Sequence, residues 1–438
     1  MDSQGGTIRQ AWGNAVYVDF AIGESHTYLG KTARLISVEN NFCTVEVDGE
    51  QRELIVARRS LPEVMNGVRV FVADNRNVAD LTQPEKSGNV HAALTKDALL
   101  CLSDPARPLL NPEEYIFPVS RADGFDWNMS ENSHMFAYLF PTRSHEGVDI
   151  DMSDARGMEI HAILAPEDGT VHDIINTPGS DIETRPFIQS DSNPELTYYY
   201  SHINRHKLLV RPGQHVSRGQ KLGYIWGDWK WGHLHFSVRK YSDGQIEPNG
   251  FEYLLNTFPQ MYELWHGDLE PRPKVWISGS FRFGGQYWTR GNRQHLNQYD
   301  DILGYGWLLG NWCTAGKVET SLPDDGGKPD QSARLQKVMF QGSPSPAVNP
   351  SNYFDFEIAV ENGWYGVGAR IGDVYAKTWQ RVCIEGTDAG VYELDHELRS
   401  IPDVKVLVTD GKLTVRLELR DDGTCAGIHE LNLTRMSL

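Results

Sequence analysis

Three things are missing from this chain of 438 residues: a Cys-x-x-Cys pair, an excess of positive charge and a long apolar run. Its five cysteines stand far apart, at Cys43, Cys101, Cys313, Cys383 and Cys425. That spacing excludes a cysteine-based zinc cluster, and the odd number leaves one thiol unpaired within the chain. Spacing does not choose between a Cys383–Cys425 and a Cys313–Cys425 bridge. Lys and Arg number 41 against 59 Asp and Glu, a formal net charge of −18. Phosphate backbones need clustered cations, so nucleic acid is not expected as a partner. An anionic surface would be repelled at long range, so binding to one has to come from specific local contacts. Without about 18 consecutive apolar residues, no membrane span is expected. The opening MDSQGGTIRQ has neither a basic nor an apolar leader segment.

Helix-period segments are also scarce, whereas Gly (41) and Trp (12) are plentiful and short alternating runs recur between turns. A mainly β fold of several domains is expected. Residues 1–114 read as a small β-rich domain and connector. ARLISV, CTVEVDGEQREL and GVRVFVAD alternate, and VDGE marks a hairpin turn. LTKDALLCLSD is ambiguous between helix and strand. From 115 to 262 strands continue between PEDG, RPGQ and SRGQ turns. The piece NTPGSDIETRPFIQSDSNPEL (176–196) is polar and turn-rich, and reads as a long surface loop, a candidate lid or rim. EYLLNTFPQMYELWHGDLEPRPK has room for a short helix before a second linker. Residues 274–438 read as a β-sandwich, in which KVLVTDGKLTVRLEL looks like a hairpin with an Asp-Gly turn.

The chemistry concentrates in three segments. In WKWGHLHFSVRKY, His233 and His235 alternate with apolar residues, so a strand points both imidazoles the same way. Two imidazoles on one face are either hydrogen-bonded structural residues or half of a metal site. SHEGVDID offers further ligands, because His145 and Asp149 stand four apart around a glycine suited to a tight bend. Two neutral nitrogens and one carboxylate make a zinc set with an open fourth position. TYYYSHINRHK adds His202 as a base or donor, and His206, read as a surface residue. His161, His172 and His215 lie near these segments and match none of them. Asp151 extends HEGVDID as a candidate hydrogen-bond acceptor behind the ligands, and Tyr200 and Trp231 are candidate substrate-groove residues.

These segments, with APEDGTVHDI and VRPGQHVSRGQKLGYIWG between them, resemble the lysostaphin-type (LytM-like) zinc endopeptidase family over roughly residues 140–240. The resemblance implies a compact antiparallel sheet domain with His145, Asp149 and His235 as metal ligands. It implies His202 and His233 as the catalytic histidines and one Zn2+ per chain. The implied activity is zinc-dependent hydrolysis of bacterial peptidoglycan peptides, in the cross-bridge or the stem. One departure is GDWKWG, whose Trp229 and Trp231 stand where the family has small residues and so put the usual substrate specificity in doubt. GYGWL, FDFEIAVENGWYGVGARIGD, RVCIEG, VTDGKLTVRLEL and GIHELNL resemble a galactose-binding-like, malectin-like sandwich, which implies a glycan partner for residues 274–438. Trp307, Trp364 and Tyr365 are candidates there for stacking on sugar or for the core. The expected setting is extracellular or the cell envelope. Two rivals are a non-cutting wall-peptide or glycan-binding adaptor and a zinc endopeptidase acting on soluble proteins or peptides.

Overall fold

The computed structural model describes residues 5–39, 42–55, 60–75, 96–121, 147–151, 161–226, 233–240, 254–272, 274–283, 292–293, 299, 302–308, 317–320, 333–336, 353–420 and 424–437. The fold is mainly β, in several antiparallel sheets. The chain divides into two compact units, Met1–Glu270 and Pro271–Leu438.

The first unit begins with two sheets around one core. Strands β1 (Thr7–Trp12), β2 (Ala15–Phe20), β7 (Glu63–Met65), β8 (Val68–Asn75) and β9 (Ala98–Ser103) form one, in the order β1-β2-β9-β8-β7. Strands β3 (Ser25–Tyr28), β4 (Lys31–Glu39), β5 (Phe42–Val47) and β6 (Glu50–Ile55) form the other. Alternation buries Ala33, Leu35, Cys43, Val45 and Val47 against Val18, Phe20, Val70 and Leu100. The VDGE turn is as expected, with Asp48 and Gly49 at φ +45° and +86° joining β5 to β6. The ambiguous LTKDALLCLSD segment contains β9, buried along its whole length.

The rest of this unit is built on a larger sheet. Its members are β10 (Val148–Asp151), β12 (Gly169–Asn176), β13 (Glu183–Ser190), β14 (Leu196–Ser201), β15 (Ile203–Asn204), β16 (His215–Val216), β18 (His233–Lys240) and β19 (Leu254–Leu255). The main order is β10-β18-β14-β13-β12-β16, and β11 (Ala162–Leu164) pairs with β17 (Lys221–Tyr224) beside it. The stretch 176–196 is not the long surface loop its composition suggests. It holds β13, which lies between β12 and β14 and buries Thr184, Pro186, Phe187 and Ile188. Polar flanks and a proline hid this strand. Pro186 faces Ile174 across β12, and the packing of Phe187 on Tyr199 outweighs weak propensity.

Helix α1 (Phe258–His266) is the one α-helix among the described residues. Pro259 opens it and Gly267, at φ +79°, closes it. The two parts of the unit share buried polar contacts. Trp12 Nε1 donates to Tyr198 Oη at 3.1 Å, and Tyr17 Oη donates to the Asn256 carbonyl at 3.0 Å. The Leu109 amide donates to Glu263 at 2.6 Å.

The second unit stacks two sheets. One contains β20 (Ser278–Arg282), β21 (Asn292–Arg293), β23 (Lys317–Thr320), β24 (Ala333–Gln336), β26 (Gly363–Gly372), β29 (Leu398–Val408) and β31 (Ala426–Arg435). The other runs in the order β22 (Tyr305–Trp307), β25 (Tyr353–Ala359), β30 (Lys412–Glu418), β27 (Lys377–Ile384), β28 (Thr387–Asp395). One core joins them through Phe281, Trp307, Phe356, Tyr365, Val415 and Leu431. KVLVTDGKLTVRLEL is therefore not a hairpin. Strand β29 pairs with β26 in one sheet and β30 with β25 and β27 in the other, so the Asp-Gly turn crosses between layers. Local alternation marks each strand but not its partner. Trp307 and Tyr365 are core residues, while Trp364 is partly exposed beneath the Lys405 ammonium. Cys383 and Cys425 do not bridge one another, and the Cys425 thiol donates to the Lys377 carbonyl at 3.5 Å.

Candidate functional site

The site grows from one antiparallel pair. Strands β10 and β18 align Asp149 with His235 and Asp151 with His233. Side chains opposite one another in such a pair share a face, so Asp149 and His235 meet directly. His235 Nδ1 lies 3.0 Å from Asp149 Oδ1, and its other ring nitrogen, Nε2, lies 3.1 Å from Ser237 Oγ. His233 Nε2 lies 3.5 Å from Asp149 Oδ2. Asp149 and His235 are both buried, at 5% exposure. Tyr199 meets the His235 ring edge-on.

Gly147 lies in a bend just before β10, as expected from sequence, and is also needed for close approach. A Cβ on it would stand 2.5 Å from the Phe236 carbonyl oxygen and 2.8 Å from His235 Nε2.

His202 arrives from β14. Phe187 faces Tyr199 and Gln189 faces Thr197, but farther on Thr184 faces Ile203 and Glu183 faces Asn204. The β14–β15 side has gained one residue, a bulge, and His202 sits in it at φ +64°. A non-glycine residue in that region is strained. Two bonds hold it, since its amide donates to Glu183 Oε1 at 3.3 Å and its carbonyl accepts from the Trp226 amide at 2.8 Å. The bulge turns the His202 ring toward His233, with centroids 4.6 Å apart, and places it 6.4 Å from the His235 ring.

His202 Nδ1 is also 2.9 Å from Glu183 Oε1. Burial pushes the Glu183 carboxyl up, but the His202 imidazole and the Arg185 charge overcome this and hold it at about 2. Sequence reasoning missed Glu183, because it lay inside the stretch taken for a loop.

Other expected residues fall elsewhere. Tyr200 is a core residue and not a groove wall. It is fully buried against Phe236, with its hydroxyl donating to the Leu164 carbonyl. His206 sits in an exposed single-turn 3-10 helix, and His215 pairs with Asp191 at 2.7 Å on the surface. His161 is buried. His145, Trp229 and Trp231 lie outside the described residues, as does the side chain of Asp151. Among the described residues no group of three or more His, Cys, Asp or Glu side chains forms a metal-holding cluster.

Two histidines and an aspartate share one face of an antiparallel sheet, with the ring of a third histidine beside them. Residues 143–248, about a quarter of the chain, match Peptidase family M23. No curated protein matches. Among solved structures, the chain is similar to the catalytic domain of the antimicrobial peptidase lysostaphin from Staphylococcus simulans. Identity there is 19%, coverage is 28% of this chain and 81% of that one, and the TM-score is 0.22. It is similar to protein YXIM from Bacillus subtilis at 19% identity, covering 36% of this chain and 40% of that one, with a TM-score of 0.25. A third is the Podospora anserina GH26-CBM35 β-(1,4)-mannanase, at 14% identity, 31% and 28% coverage and a TM-score of 0.20.

Proposed function

We propose that this chain is a zinc-dependent endopeptidase that hydrolyses peptide bonds in bacterial peptidoglycan. The observation that carries the reading is the convergence of Asp149, His202, His233 and His235 within the segment matching Peptidase family M23. The donor chemistry fits zinc. Asp149 Oδ1 and His235 Nδ1 lie 3.0 Å apart, and Ser237 engages the outer nitrogen, as metal-bound imidazoles require. Asp149, His235 and, from the resemblance, His145 would hold the ion. When bound, zinc supplies Lewis acidity toward a carbonyl oxygen and lowers the pKa of water to about 7. His202 and His233 then divide the remaining work. One takes the proton of the attacking water and passes it to the leaving amine, and the other donates a hydrogen bond to the developing oxyanion. The sandwich of the second unit is proposed to tether the enzyme to wall glycan, which raises the local substrate concentration. A division of the first unit near residues 114 and 115 and an extracellular or envelope setting belong to the same proposal.

The test is incubation of the full chain with purified peptidoglycan, with and without a chelator, and mass spectrometry of what is released. Fragments with new amino termini, absent with chelator, are expected. Asp149→Ala is expected to lose stoichiometric zinc and to release none. No fragments from a zinc-loaded wild-type chain would favour a non-cutting adaptor, and cleavage of soluble proteins alone would move the substrate away from the wall.

A further inference from the structure

We infer that Glu183 is a positioning residue for His202, fixing which nitrogen of that ring faces the reacting atoms. The inference rests on the proposed catalytic role of His202 and extends it to a carboxylate outside the motif segments. Glu183 Oε1 is shared by three groups of one turn of chain: the Ser201 hydroxyl at 3.2 Å, the His202 amide at 3.3 Å and His202 Nδ1 at 2.9 Å. The Ser201 hydroxyl and the His202 amide tie the strained bulge to the carboxylate, and the third contact sets that carboxylate at ion-pair distance from the ring mounted on it. Glu183 is itself held, because its amide donates to the Ser180 hydroxyl oxygen at 3.0 Å and β13 pairs it with Asn204. At 6% exposure it is shielded from water that would otherwise compete for the imidazole.

The chemical consequence follows from the tautomer. An anionic oxygen beside Nδ1 keeps the proton on that nitrogen and leaves the Nε2 lone pair to face the site. When Nε2 takes a proton from water, the ring becomes a cation beside a fixed anion. That same proton goes on to the leaving amine, and the ring returns to its starting form. The Nδ1 proton stays on nitrogen and Glu183 stays ionised throughout, so the cycle balances.

The experiment compares wild type, Glu183→Gln, His202→Ala and the double variant, all as full chains. The readouts are zinc content, kcat and KM on a peptidoglycan peptide, and long-range 1H–15N NMR of the imidazoles in metal-stripped protein, with the His202 signals assigned by their loss in His202→Ala. Wild type is expected to show His202 protonated at Nδ1. Glu183→Gln is expected to keep one zinc, keep KM within about twofold, lose about 10- to 100-fold in kcat and show mixed tautomers. In the His202→Ala background the second change is expected to cost nothing further, whereas a merely structural role would lower activity in both backgrounds. Should Glu183→Gln fold poorly, Glu183→Asp supplies the same comparison. Full kcat in Glu183→Gln with His202→Ala inactive would overturn the positioning role alone. Full activity in His202→Ala would overturn the catalytic reading and the inference with it.

Discussion

Glu183 should make its presence felt in stability as well as in turnover. Its carboxyl sits at about 2 in the folded chain against an ordinary value of 4.5. A depressed folded value means that the unfolded chain takes up a proton first as acid is added. The stabilisation is full above pH 4.5 and disappears as pH falls through 2. Chemical denaturation of metal-stripped wild type and Glu183→Gln between pH 7 and 2 should show a gap that closes over that window. A gap independent of pH would mean that the glutamate acts through packing and not through its charge. The other candidate site residues were visible in sequence because each sits in a short motif. Glu183 was not, because its partner is 19 positions away and meets it only through a one-residue bulge. No local pattern announces a bulge.

Elements decide how well the motif residues meet. The Asp149–His235 contact depends on β10 and β18 keeping their register, since a slip of one residue would turn every side chain to the other face. Gly147 stands where the chain enters β10, against the Phe236 carbonyl and the Ser237 hydroxyl. Gly147→Ala should force that approach apart and disturb the Ser237–His235 bond. Zinc affinity should fall about 10- to 100-fold, as when outer partners of metal ligands are lost, and stability by about 1–3 kcal/mol. Metal titration and thermal melting would check both. Unchanged affinity would show that the chain before β10 gives way freely and that Ser237 does not aim the ring. Strand existence was legible wherever alternation was clean, as in β5, β8 and β30. Strand partnership was not, and the turn at Asp410 and Gly411 shows why, because identical local chemistry serves a hairpin or a crossing between sheets.

At the scale of the molecule, the break between Glu270 and Pro271 separates a catalytic candidate from a sandwich with its own core. The fragment Met1–Glu270 should therefore fold alone and keep zinc-dependent hydrolysis of a soluble peptide, while losing any advantage on intact wall that the sandwich provides. Cutting further, to residues 115–270, should be far more costly. Trp12 reaches Tyr198, whose hydroxyl in turn donates to Glu167, and the Ser190 and Ser192 hydroxyls bond the same carboxyl group. Tyr17 reaches Asn256 and receives a bond from Gln260. An aromatic side chain buries about 150–250 Å². If half of that area for Trp12 and Tyr17 faces residues 115–270, about 2–3 kcal/mol of apolar burial goes with each, at about 25 cal/mol per Å². The sum approaches the 5–15 kcal/mol that holds a whole domain together. Thermal melts of the two fragments would decide the matter. Equal stability would mean that the N-terminal sheets are a detachable neighbour, and a large loss would mean that the sheet carrying Asp149 and His235 is completed by residues outside the candidate site.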